Sequence, residues 1–242
     1  HSFAADIVLL RAIGLKVVVV HGGGPQIGDL LARLGKETEF RDGLRVTDAE
    51  TLDVARMVLT GRVNADIVSA INQRDQVAVG LSGEDAGLII AEQRDADLGY
   101  VGDVVDVNRK ILDTLLGADF IPVISTIGAD GDGQAYNINA DTVAGAIGGA
   151  LGAEKVVYLT DVAGILDGDG ELIHQVDVDG INAMVADGTV AGGMIPKVSA
   201  CLHAVRGGVT SAHVLDGRLP HVLLLELFTD EGVGTMITKD PQ

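Results

Sequence analysis

The sequence is poor in cysteine, in basic residues and in aromatic residues. It has one cysteine, Cys201, and no tryptophan, and its 242 residues carry 17 Lys and Arg against 35 Asp and Glu, a formal net charge of −18. A single cysteine excludes an internal disulfide framework and a cysteine-rich zinc site. The acidic excess argues against a nucleic acid or an anionic membrane as partner, because both bind clustered lysine and arginine.

Long apolar runs are also lacking. No stretch reaches the roughly 18 uninterrupted apolar residues of a membrane span, and the amino-terminal segment shows no cleavage-site pattern. The single cysteine fits a reducing compartment, so the sequence predicts a cytoplasmic protein. Hydrophobic residues make up 47% of the chain and charged residues 21%, which predicts a folded protein of one or two domains.

Glycine is the main excess, with 33 residues. The glycines cluster where short apolar runs end, as in the segments HGGGP, GLSGEDAG and VAGGMIP. Aromatic residues are only 3%, so we expect an interior of Val, Ile, Leu and Ala. Such strands are typical of a parallel sheet that is buried on both faces.

Strand and helix patterns alternate along the chain, which predicts an α/β fold with right-handed crossovers. The predicted strands are Lys16–Val20, Val77–Leu81, Phe120–Ser125 and Lys155–Thr160. The predicted helices are Ser2–Ile13, Leu52–Thr60 behind a Thr47/Glu50 capping box, Arg109–Leu116, Ala140–Leu151, and a helix with Pro196 in its first turn that runs to about Arg206. Leu88–Asp106 and Asp130–Asn139 predict β-hairpins. We place a lobe boundary after residue 152, giving lobes 1–152 and 153–242.

The segment HGGGP is the first candidate anion site. A strand leads into three glycines, and Pro25 suits the start of a helix. Glycines such as Gly23 and Gly24 let backbone N–H groups approach an anion, and a helix N-terminus favours negative charge. A tight strand-to-helix turn without function explains the same pattern, and the spacing matches neither a P-loop nor a dinucleotide-binding fingerprint.

Two further motifs carry polar groups suited to a small acidic ligand. Arg45, in GLRVT, can bind a carboxylate with two hydrogen bonds, although an ordinary surface arginine would look the same. In NINAD, strand alternation places Asn137 and Asn139 on one face, and asparagine is a poor strand former. Asp141 follows at a helix start, where it is favourable for the helix dipole even without a function.

The position of Lys197 is electrostatically unfavourable for a lysine. It lies in the first turn of a predicted helix, where a lysine costs a few tenths to about 1 kcal/mol unless an anion is bound there. The loop after the strand Lys155–Thr160 lies where open α/β sheets bind ligands. No histidine pair signals a metal site, and any Mg²⁺ would arrive with a nucleotide. Cys201 is predicted to pack in the core.

Taken together, these motifs resemble the amino-acid kinase family, and within it the branch that phosphorylates N-acetyl-L-glutamate. The resemblance covers nearly the whole chain, through HGGGPQI, GLRVT, LDVARMVL, GEDAGL, NINAD, LTDVAGIL, GGMIPKV and LLLELFTDEGVGTMI. It implies an open αβα sandwich with a mainly parallel central sheet. It also implies transfer of the γ-phosphoryl group of MgATP to the side-chain carboxylate of N-acetyl-L-glutamate, in arginine biosynthesis.

The resemblance assigns roles by position. Gly23, Gly24, Arg45 and Asn137 would bind the acyl-amino acid, and Lys197 and Asp141 would be catalytic. The nucleotide-binding residues would be Asp161, Val162, Ala163, Gly164, Ile165, Leu166, Thr189, Gly192, Gly193 and Met194. No resident metal is implied, and the first lobe would also form the dimer contact.

The carboxyl-terminal segment resembles the arginine-inhibited branch of these kinases, which implies an arginine site at His221, Glu226 and Gly232 and a homodimer or homohexamer. Family members open with a strand that carries K-x-G-G, and this sequence begins after it. We therefore expect an amino-terminal segment that supplies the missing lysine.

Three alternatives stay open. Carbamate kinase, glutamate 5-kinase, aspartokinase and uridylate kinase share the implied fold, and a non-catalytic arginine or nucleotide sensor would keep it without turnover. A dinucleotide-dependent oxidoreductase is the most remote of the three. Substrate tests, nucleotide binding without turnover, and nicotinamide binding discriminate among them.

Overall fold

A computed structural model describes residues 2–41, 43–229 and 232–239. The chain divides into two compact units, Phe3–Val143 and the residues from Ala144 onward. No helix in the described part of the chain is long and apolar enough to cross a bilayer.

The first unit contains most of the strands. Its elements are α1 (Ser2–Ala12), β1 (Val19–His21), α2 (Gly24–Arg33), β2 (Phe40–Arg41), β3 (Leu44–Arg45), α3 (Ala49–Arg56), a π-helical segment (Met57–Val63), α4 (Asn64–Asn72), β4 (Ala78–Ser82), β5 (Ile89–Gln93), β6 (Gly102–Val107), α5 (Lys110–Gly117), β7 (Ile121–Ser125), β8 (Ile127–Ala129), β9 (Ala135–Asn137) and the start of α6 (Ala140–Leu151).

A parallel sheet of order β1-β7-β4 forms the centre of this unit. His21 and Ser82 both pair with Ser125, so the three strands end at the same level. Every residue of β7 is buried, as expected for the middle strand of a sheet covered on both faces. The carboxyl edge of this sheet therefore brings together the loops that follow the three strands.

The two predicted hairpins form one second sheet. β5 and β6 pair antiparallel, as do β8 and β9, and β5 joins β8 to give the order β6-β5-β8-β9. The hairpin predicted at Leu88–Asp106 is confirmed. The second hairpin is present, but its first strand lies before the predicted segment Asp130–Asn139. This sheet carries the NINAD motif at the end of β9.

The capping box was predicted one residue too early. The N-cap of α3 is Asp48, whose carboxylate accepts the Thr51 N–H at 2.9 Å. Thr47 is buried and donates its hydroxyl to the carbonyl of Arg45. Glu50 pairs with Lys36, and the Lys36 ammonium, which also contacts Asp48, lowers the pKa of Asp48 to about 2. Aspartate ranks above threonine as a helix cap, so the sequence is compatible with a helix that begins one residue later than predicted.

The second unit contains the rest of α6 and then β10 (Lys155–Thr160), β11 (Gln175–Asp177), α7 (Val178–Ala186), α8 (Met194–Arg206), β12 (Ser211–Asp216), α9 (Val222–Phe228) and β13 (Thr235–Thr238). Its sheet has the order β10-β12-β13-β11, with only the β12–β13 pair antiparallel. Its buried cluster includes Cys201, in agreement with the core packing predicted for that residue.

The predicted strands and helices are present, with small shifts at their ends. β1 begins at Val19 rather than Lys16. The helix predicted at Leu52–Thr60 is α-helical from Ala49 to Arg56 and continues as the π-helical segment Met57–Val63. The two compact units divide inside α6, whereas the sequence placed the lobe boundary after that helix. No linker separates the units because one continuous helix carries the chain from the first into the second.

Candidate active site

The HGGGP turn joins β1 to α2, and its glycines have different surroundings. Gly23 is the N-cap of α2, and Pro25 lies in the first turn. A Cβ at Gly23 would lie 2.8 Å from a methyl carbon of Leu59, so only glycine fits against the π-helical segment. Among the described residues outside its own helix and its chain neighbours, no atom lies within 4 Å of a Cβ built at Gly24. The backbone here is therefore packed tightly on one side and open on the other.

Arg45 enters this region from the short hairpin of β2 and β3. One of its terminal nitrogens donates to the carbonyl of Gly24 at 2.8 Å, and the other donates to the hydroxyl of Thr38 at 3.0 Å. The guanidinium carbon lies 4.7 Å from the centre of the Phe40 ring. Arg45 is only 8% exposed, and burial lowers its pKa, but an arginine keeps its charge in proteins.

The charge of Arg45 has no carboxylate partner among the residues that the structure describes. A buried cation without a counter-charge is costly, and an anionic ligand would remove that cost. The arrangement is therefore suited to bind a carboxylate.

The two asparagines of NINAD have separate functions. The amide oxygen of Asn139 accepts the N–H groups of Asp141 and Thr142, at 2.8 and 3.1 Å, and so caps α6. The side chain of Asn137 makes no hydrogen bond within the described part of the chain and lines a pocket. Asp141 lies in the first turn of α6. Asn139 thus provides the helix cap, and Asn137 keeps its amide available for a ligand.

These groups meet in one pocket of about 630 Å³ in the first unit. The predicted residues Gly23, Gly24, Arg45 and Asn137 all line it. Residues that the sequence did not single out also line it, among them Thr38, Phe40, Val101 and Thr126. Their patterns are those of ordinary strands and turns, so no sequence signal marks them. The described lining contains one cation, Arg45, and no acidic side chain.

The predicted nucleotide loop follows β10 in the second unit. β10 and β12 run parallel and end together, with Thr160 opposite Asp216. Within the loop, Asp161, Val162, Ala163 and Leu166 are exposed, whereas Gly164 and Ile165 are buried. Gly164 has φ +155°, and a Cβ there would lie 2.6 Å from the hydroxyl of Thr235. The Ile165 N–H donates to the same hydroxyl at 2.8 Å. Gly164 and Ile165 therefore shape the loop, and the exposed residues are available to a ligand.

The path of the chain indicates that the segment before α8 lies near the same edge of this sheet. α8 leads into β12, whose first residue, Ser211, donates its N–H to the carbonyl of Glu154 just before β10. Because a helix that precedes a strand runs back along the sheet, we infer that α8 ends at the amino edge and begins towards the carboxyl edge. Lys197 is in its first turn. A Cβ built at Gly192 or Gly193 would have no neighbouring atom within 4 Å in the part of the chain that the structure describes. The predicted nucleotide residues Thr189 and Met194 lie on either side of these glycines.

Two of the three predicted effector residues, Glu226 and Gly232, lie together, and the Glu226 side chain is buried. Gly232 lies against the carboxylate of Glu226, because a Cβ built at Gly232 would be 2.8 Å from a carboxylate oxygen. Its hydrogen-bond partners are the ring of His213 at 2.7 Å and the N–H groups of Val233 and Gly234. His221, the predicted histidine, instead precedes α9 with φ +59°.

His213 was missed because it is 13 residues from Glu226 in sequence. Its other ring nitrogen lies 2.9 Å from the Ser211 hydroxyl. Burial alone would raise the pKa of Glu226, but the hydrogen bonds from His213 and from the backbone outweigh it and hold that pKa below its usual value. Glu226 is therefore a buried carboxylate that is charged at neutral pH.

Comparison with known proteins gives the family. The model of the amino acid kinase family matches residues 1–216. An acetylglutamate kinase from Halorhodospira halophila (strain DSM 244 / SL1) is 51% identical in an alignment 254 residues long, which covers all of this chain and 85% of that protein. An acetylglutamate kinase from Stutzerimonas stutzeri (strain A1501) is 52% identical in an alignment 251 residues long, which covers 98% of this chain and 84% of that protein.

Solved structures extend the comparison to the fold. N-acetylglutamate synthase from Neisseria gonorrhoeae, complexed with coenzyme A and N-acetyl-glutamate, superposes with a TM-score of 0.88 at 28% identity, over 100% of this chain and 56% of that one. The same synthase complexed with coenzyme A and L-arginine gives 0.83 at 27% identity, over 99% and 57%. The α/β architecture with mainly parallel sheets, the family match and the two curated relatives agree. The chain belongs to the amino acid kinase family.

Proposed function

We propose that this protein transfers the γ-phosphoryl group of MgATP to the side-chain carboxylate of N-acetyl-L-glutamate, giving N-acetylglutamyl phosphate and ADP in arginine biosynthesis. Both curated relatives carry the name acetylglutamate kinase, at 51% and 52% identity. The observation that carries the proposal is Arg45, a buried cation without a described carboxylate partner that lines the 630 Å³ pocket.

The pocket also favours an acylated amino acid over a free one. Free glutamate carries an ammonium group, which would enter a pocket whose described lining has the Arg45 charge and no acidic side chain. Acetylation replaces that cation by a neutral amide, and the Asn137 side chain can pair with an amide through both its donor and its acceptor. Arg45 would bind one carboxylate of the substrate.

The glycine turn is suited to the reacting end of the substrate. The backbone near Gly24 is open, and the N-terminus of α2 favours negative charge. The side-chain carboxylate of the substrate is ionised at neutral pH, so the reaction needs no general base. A carboxylate oxygen forms a bond to the γ-phosphorus, the bond from that phosphorus to the β,γ-bridging oxygen breaks, and ADP leaves without net proton transfer.

The protein's part in this reaction is positioning and charge stabilisation. We propose Lys197 and Asp141 as the catalytic residues. The exposed residues of the loop after β10 and the glycines before α8 would bind the nucleotide. Mg²⁺ would arrive bound to ATP and neutralise phosphate charge. The buried cysteine fits the reducing cytoplasm that the sequence predicts.

We further propose that arginine inhibits the enzyme at the Glu226 cluster and that the protein is a homodimer or homohexamer. Glu226 is a charged, buried carboxylate beside the glycine-containing segment 232–234. A guanidinium is the natural partner of such a group. A structural neighbour at 27% identity is named as a complex with L-arginine, which supports the same effector.

Measuring ADP release from MgATP tests the proposed function. We expect turnover with N-acetyl-L-glutamate and turnover at least 10²-fold lower in kcat/KM with glutamate, because a buried unpaired charge costs several kcal/mol. Carbamate serves as the control substrate for the related kinases. Equal turnover with carbamate, or nucleotide binding without any turnover, would replace the proposal by one of the alternatives.

Glu226→Gln tests the effector site. The variant keeps the size of the side chain and removes its charge, so we expect the arginine concentration for half-inhibition to rise about tenfold or more, with uninhibited kcat unchanged. A lost charge-assisted hydrogen bond accounts for this magnitude. The matched control is Glu154→Gln, an exposed glutamate of the same unit. The same inhibition curve in Glu226→Gln and wild type would remove Glu226 from the site.

A further inference from the structure

A single buried asparagine connects the three parallel strands of the first unit. Asn64 is the first residue of α4, just after the π-helical segment, and is 5% exposed. Its side-chain nitrogen lies 2.9 Å from the carbonyl oxygen of Val123 in β7 and 3.0 Å from Nε2 of His21 in β1. The carbonyl of Leu81 in β4 lies at 3.4 Å. No motif identified in the sequence includes this residue.

His21 links Asn64 to the glycine turn through hydrogen bonds at both of its ring nitrogens. It is the last residue of β1 and is 8% exposed. Its Nδ1 lies 3.0 Å from the carbonyl oxygen of Gly22. A carbonyl oxygen only accepts, so Nδ1 carries the hydrogen and Nε2 is left to accept from the Asn64 amide.

This network admits one state of the imidazole. Protonation would place an Nε2–H against the Asn64 NH₂ group, donor against donor. Rotating the amide by half a turn would instead place its oxygen against the carbonyl of Val123. His21 is therefore held neutral, with its hydrogen on Nδ1. Burial lowers the pKa of His21, which favours the same neutral form.

The imidazole of His21 also fixes the orientation of the peptide between Gly22 and Gly23. In a trans peptide the carbonyl oxygen and the following N–H point in opposite directions. Holding the carbonyl of Gly22 therefore sets the direction of the Gly23 N–H. Leu59 and Val63, from the segment that leads into Asn64, press on the Cα side of Gly23. One stretch of helix thus constrains the glycine turn both by packing and by hydrogen bonding.

We propose that Asn64 is a positioning residue for phosphoryl transfer, which acts through His21 to orient the Gly22–Gly23 peptide toward the reacting groups. The inference rests on the proposed function, which places the glycine turn at the substrate or the transferring phosphoryl group. Gly80 is part of the same network, because a Cβ at this position would overlap the amide oxygen of Asn64. Any larger residue at position 80 would displace the asparagine.

The test compares two asparagines of one helix. Asn72, the last residue of α4, also bridges to β4: it donates to the carbonyl of Ala78 and accepts the Ala78 N–H. That contact lies at the amino end of the strand, away from the glycine turn. We expect Asn64→Leu to lower kcat ~10- to 100-fold, the scale of a small misplacement at a reacting centre. Asn72→Leu is expected to lower thermal stability while kcat stays within twofold of wild type.

A spectroscopic measurement reads the network directly. Nitrogen-15 NMR of wild-type His21 at pH 7 is expected to show the tautomer with hydrogen on Nδ1, and Asn64→Leu is expected to lose that single state. Where Asn64→Leu does not fold, Asn64→Asp replaces it. A carboxylate accepts from Nε2–H, so that variant is expected to show a doubly protonated His21 that still donates from Nδ1 to the Gly22 carbonyl.

The outcomes separate this inference from the proposed function. A wild-type protein without turnover on N-acetyl-L-glutamate contradicts the proposed function. A wild-type His21 with hydrogen on Nε2 refutes the positioning network whatever the turnover. Equal loss of kcat in Asn64→Leu and Asn72→Leu, wild-type kcat in a folded Asn64→Leu variant, or a singly protonated His21 in Asn64→Asp also overturns it.

Discussion

Replacing Lys197 by alanine is expected to lower kcat by about 10²–10³-fold, the scale of a lost oxyanion-stabilising donor. Lys197 lies in the first turn of α8, where its charge opposes the helix dipole. An anion that gains charge density during the reaction reverses the sign of that interaction. The effect should fall on kcat rather than on the KM for N-acetyl-L-glutamate, because the proposed contact strengthens in the transition state.

The control for this variant is Lys155→Ala. Lys155 is an exposed lysine at the start of β10, on the amino edge of the same sheet. It shares the unit and the charge of Lys197 but lies at the end of the strands opposite to the glycines before α8. Steady-state kinetics on both variants, with thermal melting to confirm folding, gives the comparison. Unchanged kcat in Lys197→Ala would remove this lysine from the catalytic residues.

Replacing Arg45 by methionine is expected to lower kcat/KM for N-acetyl-L-glutamate by about 10²-fold. A hydrogen bond to a charged group contributes about 1.5–3 kcal/mol, and the upper part of that range corresponds to a factor of this size. Methionine keeps much of the apolar stem but loses the guanidinium, which also holds the carbonyl of Gly24 and the hydroxyl of Thr38. The KM for MgATP is expected to stay within about twofold, because Arg45 is assigned to the acyl-amino acid.

Arg33→Met is the matched control for Arg45→Met. Arg33 is an exposed arginine at the end of α2, the helix that begins at the glycine turn. Initial rates with either substrate varied measure both variants. A change in the KM for MgATP alone, or equal kinetics in Arg45→Met and wild type, would contradict the carboxylate-binding role.

Sequence reasoning predicted the features that depend on neighbouring residues. The HGGGP turn, α6 and the two hairpins follow from short-range patterns, and the structure contains all of them. The sequence also indicated Arg45 and Asn137 as candidate substrate-binding residues, and both line the pocket. These elements could be predicted because glycine, proline and the alternation of strand residues determine backbone conformation within a few residues.

The features that the sequence did not predict depend on contacts between distant residues. His213 and His221 both precede Glu226, and the contact of His213 with the carboxylate joins β12 to α9, which no local pattern indicates. Asn64 looks like an ordinary helical residue until α4 packs on the sheet. Thr47 and Asp48 are both good caps, and Asp48 is the one that caps α3.

The role of a loop residue depends on distant contacts in the same way. Gly164 and Ile165 match a nucleotide-binding pattern, but they are buried against Thr235, which lies about 70 residues away in sequence. Their effect on a nucleotide would be through the shape of the loop. Asp161 and Val162, which are exposed, are the better positions for contact.

The most direct test of the proposed reaction is to trap its product with hydroxylamine. The protein is incubated with MgATP, N-acetyl-L-glutamate and hydroxylamine, and the products are identified by mass spectrometry while ADP is measured in parallel. We expect the side-chain hydroxamate of N-acetylglutamate in an amount equal to the ADP released, and at least 10²-fold less hydroxamate when glutamate replaces the acylated substrate at a concentration below the KM. ADP release without that hydroxamate, or a hydroxamate at the α-carboxyl group, would contradict it.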